Sequence, residues 1–149
     1  MANRTLSQRV DDALRRFQTE PNVWIATASL VGDPHLIPLS LAWVDEAMVV
    51  ATPTDSPTVR NAVASGKARA TLDSADDVVI VDARVRVEDL DSAERSVVES
   101  YVGRVGWDPR QNPGAWSLLT LTPTRVQAWN SVQEIQGRTI MRCGVWASD

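Results

Sequence analysis

The stretch "WIATASLVGDPHLIPLSLAWVDEAMVVATPTDSPTVRNAVASGKARATL", residues 24–72, decides the fold. It opens inside "VWIATASLV", a run rich in β-branched and apolar residues that reads as a strand leading to a turn at Gly32-Asp33. A second strand is expected from His35 to Val44. Its period of two puts His35, Ile37, Leu39, Leu41 and Trp43 on one face and Leu36, Pro38, Ser40, Ala42 and Val44 on the other. Both faces are largely apolar, as in a strand buried on both sides in a small barrel or at a subunit interface. Pro38 has no N–H to give to a ladder, so it implies a bulge or a locally unpaired edge. Asp45-Glu46 turns the chain into a third strand, "MVVATP". "DSPTVRNAVASGK" then carries a helix signature: Ser56 as N-cap, Pro57 at the first helical position and Gly66 as C-cap. "KARATLD" makes a fourth strand.

Working outward, "TLSQRVDDALRRFQ" has Thr5 and Gln8 at capping-box spacing, with Leu6, Val10, Ala13, Leu14 and Phe17 on one helical face. An N-terminal helix is therefore expected within residues 1–20. "DVVIVDARVRVED" alternates as a fifth strand, with Val79, Val81, Ala83, Val85 and Val87 on one side. "DSAERSVVESYVGRV" predicts a third helix, with Asp91 and Glu94 at capping spacing and an end at Gly106. "AWSLLTLTPTRVQAWN" predicts a sixth strand with a break at Pro123, and the tail, residues 131–149, adds a short hairpin or lies across a partner. Many strands at short spacing, with too few helices to cross over each pair, predict a mainly β fold: an antiparallel barrel with peripheral helices, in one domain over residues 1–149.

Composition excludes several classes. A net charge of −4, with no lysine-rich patch interleaved with aromatics, gives nucleic acid no general attraction. No apolar run approaches the roughly 20 residues that span a bilayer, so no membrane partner is expected. The single cysteine, Cys143, has no partner for an internal disulfide, and no signal-peptide pattern is present, so a cytoplasmic protein is expected. One histidine and one cysteine do not make a zinc site, and neither has the companions of a nucleophilic triad. His35, beside a turn and on the same face as Ile37 and Trp43, reads as a packed or interface residue. Asp76 and Asp77 read as turn residues. Six tryptophans against one phenylalanine and one tyrosine suit cores and interfaces as well as ring-stacking pockets.

The chemistry that remains lies before and within the second helix. Thr52, Thr54, Ser56 and Thr58 cluster hydroxyls where free backbone N–H groups and the helix dipole favour an anion, and Arg60 and Asn61 follow within a turn. A guanidinium grips a phosphate with two parallel hydrogen bonds, and an amide donates a third. The plainer account has Ser56 as a cap, the threonines as strand-end residues and Arg60 as a solvated surface charge. With so few acids, bases or nucleophiles, difficult chemistry would belong to a cofactor.

The order of these elements, with the Gly-Asp turn, the strand ending Trp-Val-Asp, the strand ending Ala-Thr and Thr-Val-Arg-Asn on a helix, resembles the pyridoxamine 5′-phosphate oxidase-like split β-barrel family. Within it, the chain is most similar to the actinobacterial flavin and deazaflavin oxidoreductases. The likeness runs through residues 22–88 and continues more weakly over 122–146. It implies a homodimer of split barrels with FMN, or alternatively coenzyme F-420, in a groove at the subunit interface. By position, the backbone of Pro38, Leu39 and Ser40 would line the ring system and Ala51 and Thr52 would approach the ribityl chain. Ser56, Thr58, Arg60 and Asn61 would receive the phosphate, and Trp129 or Trp116 would come from the other subunit. Many relatives carry a lysine where this chain has Thr58, which removes a cation from the phosphate site. The lysine and arginine pattern of pyridoxamine phosphate oxidases proper is absent, so oxidation of vitamin B6 is not expected. The implied activity is hydride exchange between the bound ring and a small organic substrate. The alternatives are a module that holds a flavin, haem or other planar ligand without turnover, and a structural dimer whose tryptophans serve only its interface.

Overall fold

The computed structural model describes residues 3–149. Helix α1 spans Leu6–Thr19 and is closed by the expected capping box: Gln8 N–H donates to Thr5 Oγ1 over 3.1 Å and Thr5 N–H donates to Gln8 Oε1 over 2.8 Å. Residues 1 and 2 of the expected N-terminal segment lie outside the described residues. Strand β1 (Asn22–Ala28) pairs antiparallel with β2 (Pro34–Ser40), and β3 (Ala42–Val44) pairs with β4 (Ala47–Pro53). Helix α2 (Pro57–Ser65) has Ser56 Oγ accepting from Val59 N–H, Pro57 in its first turn and Gly66 at φ +68°, as its sequence predicts. Strands β5 (Lys67–Thr71) and β6 (Val78–Asp89), helix α3 (Arg95–Val105), the long β7 (Trp116–Trp129) and a terminal hairpin of β8 (Thr139–Arg142) and β9 (Val145–Trp146) complete the fold.

The second predicted strand is in fact two. The chain leaves β2 at Leu41, whose N–H donates to the carbonyl of Pro21 at 2.9 Å instead of joining a ladder, while its side chain is buried. This break matters for topology. The nine-stranded sheet runs β2-β1-β5-β6-β7-β4-β3, with β8 and β9 off that path, and its paired strands are all antiparallel. Strands β2 and β3, consecutive in sequence, thus stand at opposite ends of the path. The sheet curls until its two ends meet at one residue, giving a barrel that is split between β2 and β3.

Four other expectations are corrected. Strand β1 stops at Ala28, because residues 29–33 close a turn through Ser29 N–H to Asp33 O and Gly32 N–H to Ser29 O. Within the chain strand β2 is not buried on both faces, so of the two expected settings the closed barrel is set aside and the subunit interface is left: Leu36 is 60% exposed and Pro38 is exposed too. Pro38 is nevertheless on an edge strand, where its missing donor is tolerated, and its register opposite Trp24 is unbroken. Strand β7 does not break at Pro123. The register steps from Asp82↔Arg125 to Ala83↔Pro123, a bulge that absorbs the proline within a continuous strand. Helix α3 starts at Arg95 rather than near Asp91, because residues 89–93 form a turn held by Asp89 O, and Glu94 caps with no side-chain bond.

The barrel interior holds the main core. Ile25, Met48, Leu119, Leu121 and Ile140 fill it, and Phe17 of α1 stacks on Trp43 at 4.7 Å between ring centroids. A second cluster, centred on Tyr101, Val98 and Leu118, seats α3 against the outside of β3 and β4. Arg9, on the apolar side of α1, is buried and ties the helix to the tail by donating to Ala128 O and Gly137 O.

Candidate functional site

Helix α2 lies against β1, β2, β4 and β6, which brings it beside the β2 and β4 segments singled out in the sequence. The tie is specific: Asn61 Nδ2 donates to Thr27 Oγ1 at 3.1 Å in a buried contact, and Thr27 stands opposite His35 across the β1–β2 ladder. Thr27 was not anticipated. Its signal was present as a polar residue on the inward side of β1, in line with Val23 and Ile25.

The ten candidate residues meet different environments. Leu39 and Ser40 are half-buried on β2, beyond the exposed Pro38. Ala51 and Thr52 are buried on β4, with Ala51 opposite Leu118 and Thr52 opposite Ser117. Behind Ala51 sits the buried Tyr101, a second residue the sequence did not single out; burial pushes its phenol up, partly opposed by a hydrogen bond with the Ala51 backbone. Thr52 and Thr58 are both wholly inaccessible, and among the described residues neither hydroxyl has a hydrogen-bond partner. Ser56 caps α2. Arg60 is exposed; its guanidinium donates to the backbone carbonyl of Asp55, and among the described residues it has no ion-pair partner.

The anion-binding capacity of α2 is correspondingly narrow. Pro57 has no N–H, that of Val59 goes to Ser56 Oγ and that of Arg60 goes to Ser56 O, so the one free amide of the first turn belongs to Thr58, a residue with no exposed surface, and the exposed donor is the Arg60 guanidinium. Trp129, at the far end of β7, lies under the Arg138 guanidinium at 5.9 Å. Trp116 packs edge-on against Trp107 and lines a groove of about 560 Å³ with Pro53, Thr54 and Asp55, just ahead of α2. A separate groove of about 750 Å³, across β1, β5 and β6, includes none of the ten. Among the described residues there is no cluster of metal-ligating side chains, and no helix is long and apolar enough to cross a membrane.

A curled antiparallel sheet split at one seam, with a capped helix beside the seam, defines the split β-barrel fold of proteins related to pyridoxamine 5′-phosphate oxidase. Among solved structures, the chain is similar to a pyridoxamine 5′-phosphate oxidase-related, FMN-binding protein from Nostoc punctiforme, with TM-score 0.58, 15% identity and 80% of each chain covered. It is similar to an F420 reductase, with TM-score 0.61 and 15% identity, covering 75% of this chain and 93% of that one. It is also similar to HutZ, the haem storage protein of Vibrio cholerae, with TM-score 0.69 and 16% identity, covering 80% and 94%. No protein-family model matches the chain. No curated protein matches it by sequence.

Proposed function

We propose that the protein is a member of the pyridoxamine 5′-phosphate oxidase-like family that binds FMN, or alternatively coenzyme F-420, as a homodimer and acts as an oxidoreductase on a small organic substrate. The observation that carries this reading is the placement of α2. The Asn61–Thr27 bond docks the helix on the strand that pairs with β2, which brings the helix that carries the unpaired Arg60 charge beside the apolar edge strand. An exposed guanidinium without a carboxylate fits a phosphate, and the exposed, apolar Leu36 and Pro38 fit a face covered by a second subunit.

In this reading Arg60 and Ser56 hold the phosphate, the buried Ala51, Thr52 and Thr58 back the site from within the barrel wall, and the backbone of Pro38, Leu39 and Ser40 forms the wall for the ring. When bound, a flavin or deazaflavin supplies hydride transfer. The chain's own part is to bind and orient the ring and to exclude water from one side of it. None of the ten residues is an acid, base or nucleophile that works near neutral pH.

A side-by-side fluorescence titration of FMN and F-420 tests the reading. One of the two is expected to bind, and Arg60→Ala is expected to weaken it by about tenfold or more, the loss of a charge-assisted contact. Binding of neither removes the proposal. The second reading, a module that holds a planar ligand without turnover, is favoured by one observation: Thr58, where the family resemblance implies a lysine, is uncharged and fully buried. Substrate turnover by loaded protein well above that of free cofactor decides against it.

A further inference from the structure

We propose that the groove of about 750 Å³ across β1, β5 and β6 is a second binding site, for a small organic acid with an apolar body. This goes beyond the cofactor reading, because the groove meets α2 at Ser65, its C-terminal residue, roughly 13 Å along the helix from the Ser56 cap. Its volume lies within the range of about 300–1,000 Å³ typical of small-molecule sites.

The floor is Ala26 and Ala28 of β1, which face outward, and the backbone of β5 and β6 at Ala68 and Ala83, whose side chains turn into the core. Without large side chains there, the strands leave a shallow trough of hydrocarbon and backbone. The charges point to the ligand's class. On the outer face of β5 and β6, Arg69 stands opposite Asp82, and the two form an ion pair at 2.6 Å. One rung further along the same face, Lys67 stands directly opposite Arg84. Like charges on facing residues of an antiparallel pair repel. Both side chains are exposed and line the groove, and among the described residues neither has an ion-pair partner. The groove thus gathers three cations, Lys67, Arg69 and Arg84, against the single carboxylate of Asp82, in a chain whose net charge is −4. A carboxylate seated between Lys67 and Arg84 relieves the repulsion and takes up donors of both, while an apolar body lies along the alanine floor.

The test uses 1-naphthoate and its uncharged counterpart 1-naphthalenemethanol, titrated into ¹⁵N-labelled full-length protein and followed by amide shifts and calorimetry. Naphthoate is expected to shift the amides of Ala28, Lys67 and Arg84 and to bind about tenfold or more tighter than the alcohol, the ratio that one charge-assisted contact supplies. The double variant Lys67→Gln/Arg84→Gln is expected to lose that preference with its Tm unchanged or raised, since it removes a repulsive pair. Ala28→Phe, which fills the trough, is expected to abolish binding with both charges intact. Arg60→Ala is expected to leave naphthoate binding unchanged, which separates this site from the cofactor contacts. Equal affinity for acid and alcohol, or undiminished naphthoate binding by the double variant, overturns the proposal. So does a groove closed by a second copy of the chain, seen as dilution-dependent shifts at Ala28 and Arg84 with no response to naphthoate.

Discussion

Thr58 shows most directly what a single residue contributes to this site. Its hydroxyl is buried in the second position of α2 with no partner among the described residues, and Thr52 is in the same condition on β4. An unsatisfied buried hydroxyl costs on the order of 1–3 kcal/mol, because water is removed and nothing replaces it. Thr58→Val keeps the branched shape and removes the oxygen. It is expected to raise the unfolding free energy by about 1 kcal/mol, read from the urea midpoint at unchanged m-value. Such a residue is invisible in sequence, where Thr58 counted only as one of several hydroxyls near a helix start. Sequence reports which donors and acceptors exist; only packing decides which of them lose contact with water. The same holds for Asn61, where the motif supplied the residue but the Thr27 contact that fixes it came from the pairing of strands far apart in the chain.

Among the elements, the β3–β4 hairpin joins Val44 to Ala47 through Asp45 and Glu46, both left-handed at φ 50° and 62°. Two-residue hairpin turns of this kind require positive φ at both central positions, and an L side chain is strained there. Glu46→Gly is therefore expected to stabilise the protein by about 0.5–1 kcal/mol, measured by thermal or urea unfolding. The turn, the caps of α1 and α2 and the alternation of β6 were legible because each depends on residues within a few positions of one another. The division of the second strand at Leu41 was not. Apolar alternation runs straight through residues 35–44, and the break exists only because the carbonyl of Pro21, on the approach to β1, takes the Leu41 N–H. Pro123 misled in the opposite sense: a proline reads as an interruption, yet an extra residue at the bulge let β7 continue.

Across the whole molecule, the first and last segments are held together by charge. Arg4 donates to Glu134 at 2.9 and 3.1 Å from its guanidinium, and Asn130 N–H adds a third bond at 2.8 Å. The Arg4 contact, aided by the backbone donors and opposed by burial, holds the Glu134 carboxyl at about 2 rather than its ordinary 4.5. The folded state therefore binds this proton less readily than the unfolded chain. Its contribution is complete above pH 4.5 and is lost as pH falls from there through about 2. A difference of that size is worth roughly 3 kcal/mol. Glu134→Gln is expected to cost about that much at neutral pH and to flatten the decline in stability below pH 4.5, measured by urea unfolding across pH.

The seam at Leu41 is the one step on the way round the barrel that no backbone ladder closes. Strands β2 and β3 each have one hydrogen-bonded neighbour on the sheet path, and between them the cylinder is joined by a covalent step rather than a ladder. Prising the barrel open there breaks packing alone, whereas opening it anywhere else along the path also ruptures a row of backbone hydrogen bonds.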